Sequence, residues 1–119
     1  MKLIGAGRLA LGLGIVAAPA ALCRPWVGEA ADTGGGQVAL RALGARDALL
    51  GFMALHVANA QDPMVAARWS SAIALCDAVD GGATVAARGS LPASSAGIIA
   101  LGFGTAAAGV AISAGLRSA

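Results

Sequence analysis

The feature that most constrains this chain is the uncharged, largely apolar stretch of residues 93–116. A helix needs roughly 20 apolar residues to cross the hydrocarbon core of a bilayer, which is about 30 Å thick. Pro92 precedes the stretch, where its fixed φ suits the start of a helix, and Arg117 follows its far end. The pattern predicts a transmembrane helix over about 93–116.

Three further apolar stretches precede it, over about 3–23, 38–60 and 64–87. Charged residues make up only 12% of the chain, whereas soluble domains carry about 25%. A soluble fold with so few charges would expose large apolar patches, and a lipid-facing surface removes that difficulty. The sequence therefore predicts one domain over 1–119, all-α, folded as a four-helix transmembrane bundle.

The second and third stretches contain charged residues that a lipid-facing helix would not tolerate well. The second holds Arg41, Arg46 and Asp47, and the third holds Arg68, Asp77 and Asp80. Each charge near the centre of an isolated helix costs about 2.5–3.5 kcal/mol on insertion scales. We therefore expect these two helices to form the interior of the bundle, with a charged seam between them.

Small residues recur at helical spacing beside the acids of both stretches. Gly51 and Ala54 share a face with Asp47, and Ala74 and Gly81 share a face with Asp77. Small residues on one face allow helix backbones to approach closely in lipid. The spacing predicts that Gly51, Ala54, Ala74 and Gly81 lie at helix contacts.

The depths of the charged residues predict that they meet. With helix centres near Leu49 and Leu75, Arg46 and Asp47 lie roughly 3–5 Å to one side, at 1.5 Å per residue. Because consecutive spans run antiparallel, Asp77 and Asp80 lie roughly 2–8 Å to that same side. Arg46 is thus expected to reach Asp77 or Asp80, and Arg41 to cover a further acid. Two interpretations remain open: the cluster fixes the helix register, or it binds a partner or an ion.

The first stretch leaves two points open. Arg8 lies near one end, where its side chain is expected to reach the membrane interface, and Pro19 is expected to kink the last turn. Alternatively, the basic start and the sequence Ala18-Pro19-Ala20 imitate a cleaved signal peptide, which would leave three spans.

The basic residues give a weak prediction of orientation. Four of them fall on the amino-terminal side (Lys2, Arg8, Arg68, Arg117) and three on the other side (Arg24, Arg41, Arg88). Because cytoplasmic loops carry the excess of Lys and Arg, this count favours a multi-pass protein of a bacterial inner membrane with both termini in the cytoplasm.

Several functional classes have little support. The basic residues form no run, which argues against nucleic-acid binding. The two cysteines and the single His56 lack metal-ligand spacing, and Ser94 and Ser95 have no neighbouring base. A dinucleotide-like pattern, G-x-G-x-x-A over 5–10, lacks the strand and helix alternation that it needs. No catalytic residue, metal or cofactor is predicted.

Several short motifs occur along the chain, namely GRLALG at 7–12, AP at 18–19, RPWVG at 24–28, RALGARD at 41–47, LG at 50–51, RW at 68–69 and DAVD at 77–80. Together they resemble a family of small bacterial membrane proteins, common in actinobacteria, that contain a domain of unknown function. The resemblance spans nearly the whole chain. It implies four membrane helices and nothing about activity.

The sequence favours a non-catalytic accessory or interaction subunit of a membrane complex, because the chain is small and its loops are too short to fold as domains. The expected partners are the lipid bilayer and other membrane subunits or further copies of the chain. The alternative is a small homo-oligomeric transporter that uses intramembrane carboxylates. Against the alternative, the first helix carries no acid, and aromatic residues, which would line a site for organic cations, make up only 3% of the chain.

Overall fold

The computed structural model describes residues 1–59 and 62–118, and α-helices account for most of them. The helices are α1 (Lys2–Ala17), α2 (Pro19–Val27), α3 (Gly34–Asn59), α4 (Pro63–Ala87) and α5 (Ser95–Ser118). Short 3-10 helices over Gly28–Asp32 and Arg88–Ser90 lie in the α2–α3 and α4–α5 connections. The described residues contain no strand, so the prediction of an all-α fold is confirmed.

Helix α3 covers the second predicted stretch and begins four residues earlier, whereas α4 and α5 cover the third and fourth with small shifts at their ends. Ala60 and Gln61, at the end of the second stretch and in the predicted break, lie outside the described residues. The Asp62 carboxylate starts α4, because it accepts hydrogen bonds from the amides of Met64 and Val65 at 2.9 and 3.2 Å.

The first predicted stretch, 3–23, is not one helix. The backbone leaves the helical region at Ala18, with φ −138° and ψ 66°, and the segment that begins with Pro19 is bent by 103° from α1. Proline lacks an amide hydrogen, and its ring would clash with the carbonyl of Ile15 in a continuous helix. Pro19 therefore begins a new helix instead of kinking the last turn of the old one.

The four long helices form two antiparallel pairs. In the first pair, α1 lies on α3 so closely that a Cβ at Gly12 would overlap the backbone of Ala48, and a Cβ at Gly51 would overlap the backbone of Leu9. In the second pair, α5 lies on α4, where a Cβ at Gly109 would reach within 2.9 Å of the Ala74 Cβ. Small residues thus allow both pairs to pack backbone against backbone.

The two pairs meet mainly through α3 and α4. At one end, Leu50 and Ala54 of α3 form a buried apolar cluster with Ile73 of α4. At the other end, the Trp26 indole of α2 donates a hydrogen bond of 3.2 Å to the Thr84 hydroxyl of α4. Charged side chains occupy the level between these two contacts.

The close approach of α1 and α3 gives a direct test of this packing. Gly12→Ala is expected to destabilise the protein by about 1–3 kcal/mol, because the new methyl would overlap backbone atoms that cannot rotate away. The measurement is the midpoint of thermal unfolding in mild detergent.

Gly7→Ala is the matched control on the same helix, since its Cβ would meet no neighbouring atom of the described residues within 4 Å. We expect Gly7→Ala to leave the midpoint unchanged or raise it slightly, because alanine favours helix over glycine. Equal midpoints for the two variants would contradict the glycine-mediated contact.

Candidate functional site

Many large apolar side chains of this fold are exposed, although most of its buried residues are apolar as well. Large apolar side chains point outward on every long helix: Leu3 on α1 is 87% exposed, Val38 on α3 71%, Leu75 on α4 66% and Val110 on α5 61%. The buried positions include several polar residues, namely Ser70, Asp77, Thr84, Ser95 and Ser113. Such an arrangement suits an apolar surrounding medium, because there the polar groups must find partners within the protein.

Arg46 connects α3 to α4. Its guanidinium donates to both carboxylate oxygens of Asp80, one at 3.2 Å, and also to Asp47 at 3.2 Å. Two-point contact between a planar guanidinium and a carboxylate is the strongest form of this ion pair. Of the two predicted acids, the one that Arg46 contacts is Asp80.

Asp77 pairs with Arg8 of α1 instead. This differs from the expectation that Arg8 reaches the membrane interface. Because α1 ends at Ala17, its midpoint lies between Leu9 and Ala10, so Arg8 is roughly 2 Å from the centre of the helix. A continuous helix over 3–23 would have placed Arg8 about 7 Å from its centre, which is why the sequence alone missed the pair.

Arg41, which was expected to join the acids, lies apart from them. Its Nε donates to the backbone oxygen of Val16 at 3.2 Å, and its Nη1 donates to the Gln37 side chain at 3.1 Å. The last carbonyls of a helix lack intrahelical partners, and α1 ends beside Arg41. The break before Pro19 thus supplies Arg41 with a carbonyl that a continuous helix would have used itself.

We call the five side chains Arg8, Arg46, Asp47, Asp77 and Asp80 the charge cluster. With every group ionised it carries two positive and three negative charges, a net charge of −1. Three of its buried polar atoms have no hydrogen-bond partner among the described residues: Arg8 Nη1, Arg46 Nε and Asp77 Oδ2. Asp77 is only 3% exposed, so its unpaired oxygen is withdrawn from solvent.

The charge cluster borders a cavity of about 330 Å³, which we call the cleft. Helices α1 and α2 form one wall and α5 forms the other, while α3 and α4 contribute the floor. The charged lining residues are Arg8, Asp47, Asp77 and Asp80, and the largest apolar ones are Leu3, Ile4, Leu11, Ile15, Leu22, Trp26, Leu43, Ile98 and Leu101. The volume lies at the lower end of the range of about 300–1,000 Å³ that is usual for small-molecule sites.

The four predicted packing residues, Gly51, Ala54, Ala74 and Gly81, lie at helix contacts. Those of α3 do not contact those of α4. Gly51 faces the backbone of α1, and Ala54 faces Gly5 of α1. Ala74 and Gly81 face α5, where Gly81 lies against the ring of Phe103. The small-residue faces of α3 and α4 therefore join each helix to its own pair, and the charged side chains lie between the pairs.

Within the described residues, one helix, α5, is long and apolar enough to cross a membrane by itself. The bent segment of α1 and α2 has sufficient length and composition only when its two parts are taken together. Length and composition alone therefore do not support four spans. Helices α3 and α4 have the length, but they contain the charged residues described above.

The placement of Arg8 also changes the predicted orientation. Once Arg8 is assigned to the charge cluster, three basic residues remain near each end of the bundle (Lys2, Arg68 and Arg117 against Arg24, Arg41 and Arg88). Equal numbers favour neither side.

Among the described residues, one further ion pair joins α2 to the connection between α2 and α3. Arg24 donates to Asp32 at 2.5 Å. Both side chains are exposed, and exposed pairs contribute little to stability.

Comparison of the chain with protein-family models, curated proteins and solved structures finds no match. The resemblance to the actinobacterial membrane proteins therefore stays a prediction. Within residues 1–59 and 62–118, no group of three or more His, Cys, Asp or Glu side chains is arranged to hold a metal ion. The candidate functional features of the chain are thus the charge cluster, the cleft and the outer helix surfaces.

The Arg8–Asp77 pair predicts a specific pattern of stability. Arg8→Met leaves the buried Asp77 carboxylate without its partner and is expected to destabilise the protein by about 3–5 kcal/mol. Replacing both partners, as in Arg8→Met with Asp77→Leu, should recover much of that loss, because no unpaired charge remains. Thermal unfolding in detergent, followed by tryptophan fluorescence, measures both.

The exposed Arg24–Asp32 pair supplies the control for this experiment. Arg24→Gln should change the unfolding midpoint very little, because water solvates both groups. If Arg8→Met were as mild as Arg24→Gln, Asp77 would not depend on Arg8.

Proposed function

We propose that this chain is a multi-pass integral membrane protein of a bacterial cell membrane and works as a non-catalytic interaction subunit. The observation that carries the proposal is an uncovered surface of small residues on α5, the helix best suited to a membrane.

Helix length supports several spans. Helices α3, α4 and α5 have 26, 25 and 24 residues, or about 39, 37 and 36 Å at 1.5 Å per residue. Each exceeds the roughly 30 Å of the hydrocarbon core. Helix α1 is shorter, with 16 residues, so α1 and α2 together are proposed to form the fourth membrane element.

The direction of the charged side chains supports the same location. Ionisable groups are tolerated within a membrane when they face the interior of a bundle and pair with one another. Arg46 and Asp47 are the two central residues of α3, and both are directed to partners within the protein. Leu49 and Phe52, on the outer surface of the same helix, are exposed and apolar. Lipid would therefore meet the apolar side of α3.

The interaction surface is on α5. At about 100° per residue, its buried side contains Ser95, Ala106 and Ser113. The opposite side, which we call the outer face of α5, consists of exposed small residues: Gly97, Gly104, Ala108, Ala111 and Gly115. A Cβ at Gly97, Gly104 or Gly115 would meet no neighbouring atom of the described residues within 4 Å.

Small residues spaced by three, four and seven positions are typical of helix association in lipid, because they let two backbones approach closely. The chain uses this device twice in its own interior, at α1–α3 and at α4–α5. On the outer face of α5 the same residue types have none of the described helices against them. We propose that a helix of another membrane subunit packs there.

The membrane location predicts that the chain remains in the pellet when membranes are washed with alkaline carbonate, because apolar side chains cover its outer surface. The measurement is the fraction of the chain released by the wash, with a peripheral membrane protein as the control. Complete release would contradict an integral location.

The interaction predicts that the tagged chain, purified from its native membrane in mild detergent, carries a stoichiometric partner detectable by mass spectrometry. Gly104→Ile should abolish this association, because the larger side chain would hold the two helices apart. Folding of the chain itself should be unaffected, since the position is open in the structure.

Val110→Ile is the matched control, because Val110 is exposed on α5 but lies away from the outer face. A chain that purifies alone as a monomer would exclude the interaction subunit. A homo-oligomer that Gly104→Ile dissociates would instead favour the transporter, the second candidate, which the carboxylates of the cleft support.

A further inference from the structure

A short chain of hydrogen-bonded side chains joins α4 to α5 near the end of the bundle that contains Lys2. The Ser71 hydroxyl of α4 lies 2.8 Å from the Ser113 hydroxyl of α5, and Arg117 Nη2 donates to Ser71 Oγ at 3.1 Å. Ser113 is buried, so the two serines are fixed within the contact between the helices. They hold the Arg117 guanidinium in a defined place beside α4.

Arg68 lies next to this place. It precedes Ser71 by three positions on α4, and side chains three positions apart on a helix are neighbours, with Cβ atoms about 5–6 Å apart. The guanidinium of Arg117, which bonds to Ser71, therefore lies on the same side of α4 as Arg68. Both arginines are exposed. We call Arg68, Ser71 and Arg117 the arginine site.

The positive charges of the arginine site are not neutralised within the part of the chain that the structure describes. Ser71 accepts a hydrogen bond but provides no counter-charge, and neither arginine pairs with a carboxylate of the described residues. Asp62 is the one acidic side chain near this end, and its Oδ1 already accepts from two amides at the start of α4. Lys2 adds a third positive charge. An anion is therefore the complementary ligand.

The depth of the arginine site matches that of the lipid phosphates. Arg68 lies seven residues from the centre of α4, or about 10 Å, and Arg117 lies about 16 Å from the centre of α5. The hydrocarbon core extends about 15 Å to each side of its centre. An arginine that begins a few Å inside this boundary reaches the interface with its long side chain. In the proposed membrane location, both guanidiniums therefore lie at the headgroup level.

We propose that the arginine site binds the phosphate group of an anionic phospholipid of the surrounding bilayer. Guanidinium groups match phosphate oxygens with two parallel N–H donors, and basic sites between membrane helices suit anionic headgroups. Leu75, nearly two turns further along the same face of α4 as Arg68, is 66% exposed and could contact the acyl chain. This inference rests on the proposed membrane location and uses none of the residues of the outer face of α5.

Binding can be measured on the full-length chain in mild nonionic detergent, with dioleoyl phosphatidylglycerol as the probe. A ligand that binds the folded state raises the unfolding midpoint in a saturable way. We expect this rise with phosphatidylglycerol, and binding at least about fivefold weaker with dioleoyl phosphatidylcholine, whose ammonium group cancels the charge of its phosphate. Inorganic phosphate, which has no acyl chain, should leave the midpoint unchanged.

Arg68→Gln tests the site with little risk to the fold, because Arg68 is exposed and takes no part in the ion pairs of the described residues. It should weaken phosphatidylglycerol binding roughly fivefold, and the double variant Arg68→Gln with Arg117→Gln should weaken it further. Arg88→Gln is the matched control, since Arg88 is an exposed arginine at the opposite end of α4. It should leave binding unchanged. Midpoints without added lipid establish that all variants are folded.

Equal stabilisation by the two phospholipids would overturn the proposal, and so would an undiminished effect of phosphatidylglycerol on the folded double variant. A loss in Arg88→Gln as large as in Arg68→Gln would also overturn it, because it would indicate general attraction between charges. Stabilisation by inorganic phosphate as strong as that by phosphatidylglycerol would assign the site to a free anion instead of a lipid. Failure of the membrane location itself is distinct, since it is measured by release in alkaline carbonate.

Discussion

Two ion pairs to α4 fix the position of the first helix pair, α1 and α3, along the axis of α4. Arg8 of α1 and Arg46 of α3 both reach acids of α4, one turn apart, at Asp77 and Asp80. Because α1 is already fixed to α3 by backbone contacts at Gly12 and Gly51, the two arginines cannot move independently. A shift of the first helix pair by one turn would therefore separate both ion pairs at once, and each would leave a poorly solvated carboxylate.

Much of this arrangement follows from sequence patterns, since apolar stretches and helix breakers predict α3, α4 and α5, and helix rise predicts that Arg46 meets an acid of α4. The positions of Arg8 and Arg41 depend on Pro19, whose effect on the helix is difficult to predict from sequence. Pro19 could kink a helix or end it, and only the second outcome shortens α1 enough to bring Arg8 to its centre. The same break exposes the Val16 carbonyl that Arg41 uses, so one local ambiguity accounts for both misplaced arginines.

The partners of the small-residue faces could not be read from the sequence either. Glycine and alanine are so frequent in this chain that several faces of each helix satisfy the spacing for close packing. On α5 both the buried side and the outer face do so, and only the three-dimensional structure distinguishes the covered one. For α3 and α4, the pattern selected Gly51 and Gly81 but could not assign them to α1 and α5, whose atoms lie against them.

The composition of the charge cluster bears on the choice between a structural and a binding role. Two arginines and two acids would be enough to fix the register of α1 and α3 on α4, with no net charge on these four side chains. Asp47 adds a third acid, shares an arginine that Asp80 already binds at two points, and lies on the cleft rather than between α3 and α4. An additional charge in an apolar environment is unfavourable unless a counter-charge is present for at least part of the time. The register function is assigned to Arg8, Asp77, Arg46 and Asp80, and Asp47 is the acid of the cluster that this function does not require.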